Sequence, residues 1–250
     1  MRKIVVVSTN NNHDYYFYAP FIEYAWNKFG WDLCIMVTGD VDVKKIKVNN
    51  PSTVFCVLPH IEKVHDATIA QAGRLYAANY LQSDSFIMTC DMDLIPLSDY
   101  WHPNENEITV FGHDLTWHTF YPMGYIAMPI HLWKEVMKLN DSTKAEMERD
   151  FKDTKIAYSD KWEDWWNVDW DLITKRLQWY KNQIKFIDRG RRADSVYAKG
   201  RVDRGDSMKI PEPPLIDAHC ENHNVKHPDK LNKFLAMFQQ VFGEIPDYIK

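Results

Sequence analysis

The sequence predicts an α/β fold with a mixed, mostly parallel sheet flanked by helices. Strand-like and helix-like stretches alternate over the first two-fifths of the chain, as in β-α-β units. The run Phe86 to Cys90 is apolar but for Thr89, the mark of a strand buried on both faces. The second half mixes short strands with longer polar helices, so not every strand is expected to run parallel.

Taken in order, Lys3 to Val7 is a short β-branched run that ends in the polar stretch Ser8 to Asn12. A helix is expected from about Pro20 to Phe29, stopped by Gly30. Leu33 to Val37 and Val54 to Leu58 read as the next two strands, closed by Thr38-Gly39-Asp40 and by Pro59. Asp66 is placed to cap a helix running to about Leu81, and Phe86 to Cys90 follows as the fourth strand. Beyond these, strands are expected at Ile108 to Phe111, Tyr125 to Met128, Ile184 to Ile187 and Leu215 to Ala218. Helices are expected near His131 to Leu139, across the exposed stretch Asn140 to Asp153, from Asp169 to Tyr180 and from Asp229 to Phe242. With no internal repeat and no linker, residues 1–250 are expected to form one domain.

Composition narrows the function. The 250 residues carry 30 Lys+Arg against 35 Asp+Glu, a net charge of -5, which argues against a general nucleic-acid binder. Aliphatic runs such as Ile4 to Val7 are too short for a bilayer span or a signal-peptide core, so the cytosol is the expected address. Cys34, Cys56, Cys90 and Cys220 form no C-x-x-C pair and are expected to be buried, reduced thiols. Aromatic residues make up 14% of the chain; they fill cores, and they also form flat platforms for sugars and bases. One segment, 189–210, holds seven Lys/Arg against three Asp, and three of the nine glycines. It fits either a lid over an anionic ligand or a solvated surface loop.

The sharpest motif is Asp91-Met92-Asp93, directly after the fourth strand. On extended chain the two carboxylates would point one way and Met92 the other. Beyond the carboxyl end of a parallel strand they occupy the place where open α/β sheets bind ligands. Oxygen ligands of this kind select Mg²⁺ or Mn²⁺, ions that also hold substrate phosphates. An aspartyl phosphatase would carry its D-x-D on the first strand, whereas the stretch after the first strand here holds neither D-x-D nor the glycines of a phosphate or dinucleotide loop.

A Rossmann-type half that ends in an apolar strand and D-x-D resembles the GT-A class of nucleotide-sugar glycosyltransferases. The resemblance implies a GT-A-like fold, with a nucleotide-binding half at about 1–100 and an acceptor-side half at about 101–250. It implies that Ser8, Thr9 and Asn10 meet the base and ribose, and that Arg74 and Asp91 also contact the donor. Asp91 and Asp93 would hold Mn²⁺ or Mg²⁺, with His219 of Asp217-Ala218-His219 completing the metal shell. Val168-Asp169-Trp170-Asp171-Leu172 resembles the acidic motif facing the reacting sugar, which makes Asp169 the expected base and Asp171, Asp164 and Glu163 its reserves. Trp170 stands where related enzymes often carry Gln. The neighbouring run Trp162 to Asn167 reads as core packing or as a sugar-stacking shelf. The phrases Ser8 to Pro20, Asp91 to Leu97 and Phe111 to Leu115 further resemble compact glycosyltransferase domains of chlorella viruses.

The expected activity is therefore hexosyl or deoxyhexosyl transfer from a UDP- or GDP-type nucleotide sugar to a glycan hydroxyl, with inversion preferred over retention. The viral resemblance implies a capsid or surface glycan, built in the host cytoplasm. A metal-dependent phosphoester hydrolase and a non-catalytic carbohydrate-binding module stand as the alternatives.

Overall fold

The computed structural model describes residues 1–111, 121, 123–154, 167–187, 200–202, 215–220 and 226–248. Strand β1 (Arg2–Thr9) lies inside a seven-stranded sheet, paired in parallel with β2 (Asp32–Val37) and β4 (Ser85–Thr89). β3 (Val54–Val57) adds in parallel to β2 at one edge. On the far side, β7 (Ile126–Pro129) runs antiparallel to β4 and to β6 (Ile108–Phe111). β8 (Ile184–Ile187) pairs in parallel with β6, giving the order 3-2-1-4-7-6-8. Strands from both expected halves thus join in one mixed, mostly parallel sheet.

Alternation along the strands sends successive residues to opposite faces, and both faces are buried. Ile4, Val6, Cys34, Met36 and Ile87 face one layer of helices, while Val5, Val7, Leu33, Ile35, Phe86 and Met88 face the other. The first layer holds α3 (Asp66–Gly73), α4 (Ile130–Met137), α5 (Thr143–Thr154) and α6 (Val168–Leu177). Against the second face, α2 (Ala19–Lys28) follows the short helix α1 (His13–Tyr16). It packs on the closing helix α7 (Pro228–Phe242) through edge-to-face rings, with Phe21 4.7 Å from Phe234 and 5.1 Å from Phe238. A separate antiparallel pair joins β5 (Leu94–Pro96) to β9 (Asp217–His219).

Several boundaries differ from expectation for identifiable reasons. β1 continues through Ser8 and Thr9, because β2 pairs with it as far as Thr9↔Val37. The helix expected from Asp66 to Leu81 is α-helical only to Gly73 and continues as a 3₁₀ segment over Arg74–Asn79. Gly73 sits so close to Leu58 that a Cβ would lie 2.2 Å from its Cδ1. Asp66 is the first residue of α3 rather than its cap; His65 holds that position and makes no side-chain capping bond. The stretch expected to be an exposed helix forms α5, but Glu146, Met147, Asp150 and Phe151 are buried. All four cysteines are free and buried, as expected. Among the described residues no helix is long and apolar enough to cross a membrane.

One buried carboxylate pins the loop before β3. Glu23 on α2 is fully buried and accepts from the Asn49 and Asn50 amides at 2.7 and 3.0 Å and from the Thr53 hydroxyl. Glu23→Ala would leave these donors unpaired in the interior, and is expected to cost about 3 kcal/mol. Denaturant unfolding followed by far-UV circular dichroism checks this; an unchanged midpoint would deny Glu23 that role.

Candidate active site

The carboxyl ends of β1 and β4 open into a cavity of about 440 Å³. Ser8, Thr9 and Asn10 line it from the end of β1, and Asp91, Met92 and Asp93 from the turn after β4. Gln71 and Arg74 close one wall, Asp169 and Trp170 another, and His219 completes the rim. Ser8, Thr9, Asn10, Arg74, Asp91, Asp93, Asp169 and His219, far apart in sequence, thus meet at one site.

Local structure explains how each arrives. After β4 the chain turns tightly, with the Leu94 amide bonded to the Asp91 carbonyl at 3.1 Å. The motif is therefore a turn rather than extended strand, and Met92 lines the cavity beside both acids. β5 begins at Leu94 and pairs with His219 of β9, while the Cys220 amide donates to the Asp93 carbonyl at 2.8 Å. This small sheet brings His219 to Asp93, with Nε2 3.9 Å from Oδ2. Asp93 is only 1% exposed, because β9 closes over it, whereas the Asp91 side chain is 37% exposed. A solvent-facing Asp93, natural for a loop D-x-D, is not what the fold builds.

Arg74 joins two parts of the site. Its guanidinium is buried; Nη1 donates to Asp91 Oδ1 and to the Cys90 carbonyl, and Nη2 to Asp169 Oδ2 at 2.7 Å. Burial works against its charge, but the two carboxylates outweigh burial and its pKa is raised. Asp169 lies in the first turn of α6, where Oδ1 accepts the Trp170 amide at 2.9 Å. Burial pushes its pKa up to about 6, with a contribution from the Asp91 charge, against the downward pull of Arg74 and the Trp170 amide. Nothing in the sequence around Asp169 announces Arg74 as its partner.

Asp171 is not brought in: it pairs with Lys175 one turn along α6 at 2.6 Å and does not line the cavity. Glu163, Asp164, the tryptophans at 162, 165 and 166, His223, positions 112–115 and nearly all of 189–210 lie outside the described residues. Sequence reasoning missed Asn12, Tyr15 and Asn167, which also line the cavity. Asn12 carries a usable signal, since its side chain caps α1 by accepting the Asp14 amide. Gln71 Oε1 is buried with no hydrogen-bond partner among the described residues, and Gln71 lines the cavity.

Among the described residues no three His, Cys, Asp or Glu side chains stand at metal-ligating spacing. The donor set on this cavity, two carboxylates and one imidazole, nevertheless suits a hard divalent cation.

No protein-family model and no curated protein sequence matches the chain. Its fold does match solved structures. An active-site mutant of LgtC is 13% identical, with a TM-score of 0.53, and the match covers 98% of both chains. The galactosyltransferase LgtC in complex with donor and acceptor sugar analogs is 11% identical, with a TM-score of 0.54 over 98% of both chains. The sheet order, the helical layers and this match agree on the architecture: the chain has the α/β fold of GT-A glycosyltransferases.

Proposed function

We propose that this chain is a metal-dependent glycosyltransferase that moves a hexosyl or deoxyhexosyl group from a UDP- or GDP-sugar to a glycan hydroxyl. The observation that carries the reading is the single cavity in which a D-x-D pair, a histidine, a buried Arg-Asp pair and the polar end of β1 all meet. A fold shared with a galactosyltransferase that binds donor and acceptor sugar analogs supports it.

In this reading Ser8, Thr9 and Asn10 take the nucleoside, and Gln71 offers its side-chain oxygen to a donor hydroxyl or N–H. Asp91, Asp93 and His219 would hold Mn²⁺ or Mg²⁺, which when bound neutralises charge growing on the leaving diphosphate. Arg74 keeps Asp169 oriented and ionised near neutral pH, and Asp169 takes the proton of the acceptor hydroxyl. A base at this position makes the displacement inverting. Proton NMR of the first-formed glycoside checks that; a retained configuration would reassign Asp169 to steadying charge on the sugar. Following the viral resemblance, we take the acceptor to be a capsid or surface glycan and the working place to be the cytoplasm.

A panel of UDP- and GDP-sugars with Mn²⁺ tests the reading. One donor at about a hundredfold excess over its Kd should stabilise the fold by about 2.7 kcal/mol, read as a rise in Tm of roughly 5–10 °C. Free nucleotide should be released faster when glycan acceptors are added, and excess EDTA should abolish both effects. Nucleotide release indifferent to acceptor would instead indicate a phosphoester hydrolase. Glycan binding without nucleotide binding would indicate a carbohydrate-binding module.

A further inference from the structure

The geometry points to Asp150 as a positioning residue that fixes the helix carrying Asp169 against the segment carrying Arg74. The inference rests on the transferase reading above and deepens it. Glu146 and Asp150 lie four apart and so share one face of α5, and both are buried, at 0% and 1% exposure. They meet the 3₁₀ segment at Asn79 and Tyr76, three apart, a spacing that a 3₁₀ helix stacks on one side. Asn79 Nδ2 donates to Glu146 Oε2 at 2.6 Å, and the Tyr76 hydroxyl donates to Asp150 Oδ2 at 2.9 Å. Burial, and then the Asp150 charge, raise the Tyr76 pKa well above its usual value, so the hydroxyl keeps its proton and remains a donor.

The other oxygen of Asp150 reaches α6. Oδ1 accepts from Arg176 Nη2 at 2.8 Å and from Arg149 Nε at 2.9 Å. Arg176 follows Asp169 by seven residues, two turns along the same side of α6. Two rungs therefore tie α6 to the 3₁₀ segment. The first is Arg74–Asp169 at the cavity, and the second is Tyr76–Asp150–Arg176 behind it. Neither Tyr76 nor Asp150 lines the cavity. Val168, Leu172, Ile173 and Leu177 pack α6 into the core, a contact without direction, and the two rungs together fix its setting against the 3₁₀ segment. A buried carboxylate is a costly way to fill space, and Asp150 accepts from the 3₁₀ segment and from α6 as well as from its neighbour Arg149.

The test is Asp150→Asn in the full chain. The variant keeps the shape but sets an amide against two arginines, so α6 should lose its second anchor. The kcat per folded molecule should fall about tenfold or more, since small misplacements of reacting groups carry penalties of that order. The Kd of UDP and GDP with Mn²⁺ should stay unchanged, because Ser8, Thr9 and Asp91 stand at the ends of β1 and β4. Hydrogen exchange should quicken at the first turn of α6 and not in β1. Added to Asp169→Asn, the substitution should lower kcat no further. Tyr76→Phe keeps the ring in the core and should shift kcat the same way by less, and it decides the matter if Asp150→Asn does not fold. Unchanged kcat per folded molecule, an equal loss in the Asp169→Asn background, or unaltered exchange in α6 would each overturn the clamp. A wild-type chain without transfer on any nucleotide sugar would overturn the transferase reading instead, and the exchange measurement would still judge the clamp.

Discussion

Asp93→Asn is expected to remove sugar transfer, by about 10³-fold or more, and to remove the metal-dependent part of nucleotide binding with it. Stabilising charge on a departing diphosphate contributes several kcal/mol, and each ~1.4 kcal/mol is tenfold in rate. Asp93 is the buried member of the pair, and its Oδ2 lies 3.9 Å from His219 Nε2. Asn matches its shape, and its backbone carbonyl still receives the Cys220 amide. Circular dichroism should therefore report a folded protein, which matters because Ala would leave a void beneath β9. Calorimetry with UDP and GDP should show the wild type binding more tightly with Mn²⁺ than with EDTA, and the variant binding equally weakly in both. EDTA should add nothing to the loss in the variant. Full activity in Asp93→Asn would remove the metal from the proposal and leave the hydrolase and transferase readings to be separated by acceptor dependence alone.

What could be read in advance was what is local. The strands β1, β2 and β4 declare themselves because both faces are buried and their central positions are apolar, and the D-x-D follows closely after one of them. Ser8, Thr9 and Asn10 are legible as the polar end of an apolar strand. What stayed hidden depends on contacts between distant positions. Arg74 and Asp169 are 95 residues apart, and nothing in either neighbourhood announces an ion pair. The burial of Asp93 requires β9, whose three residues are too few to show a period. The change from α to 3₁₀ geometry after Gly73 has no local sequence mark, and the need for glycine there comes from Leu58, fifteen residues away in the chain. The two buried acids of α5 stay hidden because Glu146 and Asp150 lie beside the short apolar stripe Met147 and Phe151, where a charged residue reads as the edge of a solvated face.

Asp169→Asn is expected to lower transfer by ~10²–10⁴-fold, the usual contribution of a positioned general base. Nucleotide affinity should hardly change. Asn keeps one side-chain oxygen; turned to Arg74 Nη2 it holds the guanidinium beside Asp91 and gives up the bond from the Trp170 amide. Asp169→Ala would be a poorer test, since it would leave a buried guanidinium N–H without its acceptor. The pH dependence gives a second, independent mark. A carboxyl with a pKa of about 6 is mostly protonated below that pH and cannot accept the acceptor's proton. Wild-type kcat should rise about tenfold per pH unit below 6 and level above it, whereas the residual rate of the variant should lack that limb. A capping role predicts neither result, because Asn167, not Asp169, holds the cap position of α6. Wild-type turnover in the variant would move the proton transfer elsewhere, and not to Asp171, which is held by Lys175 away from the cavity. Lost nucleotide binding with intact folding would place Asp169 among the donor contacts, acting through the Arg74 it shares with Asp91.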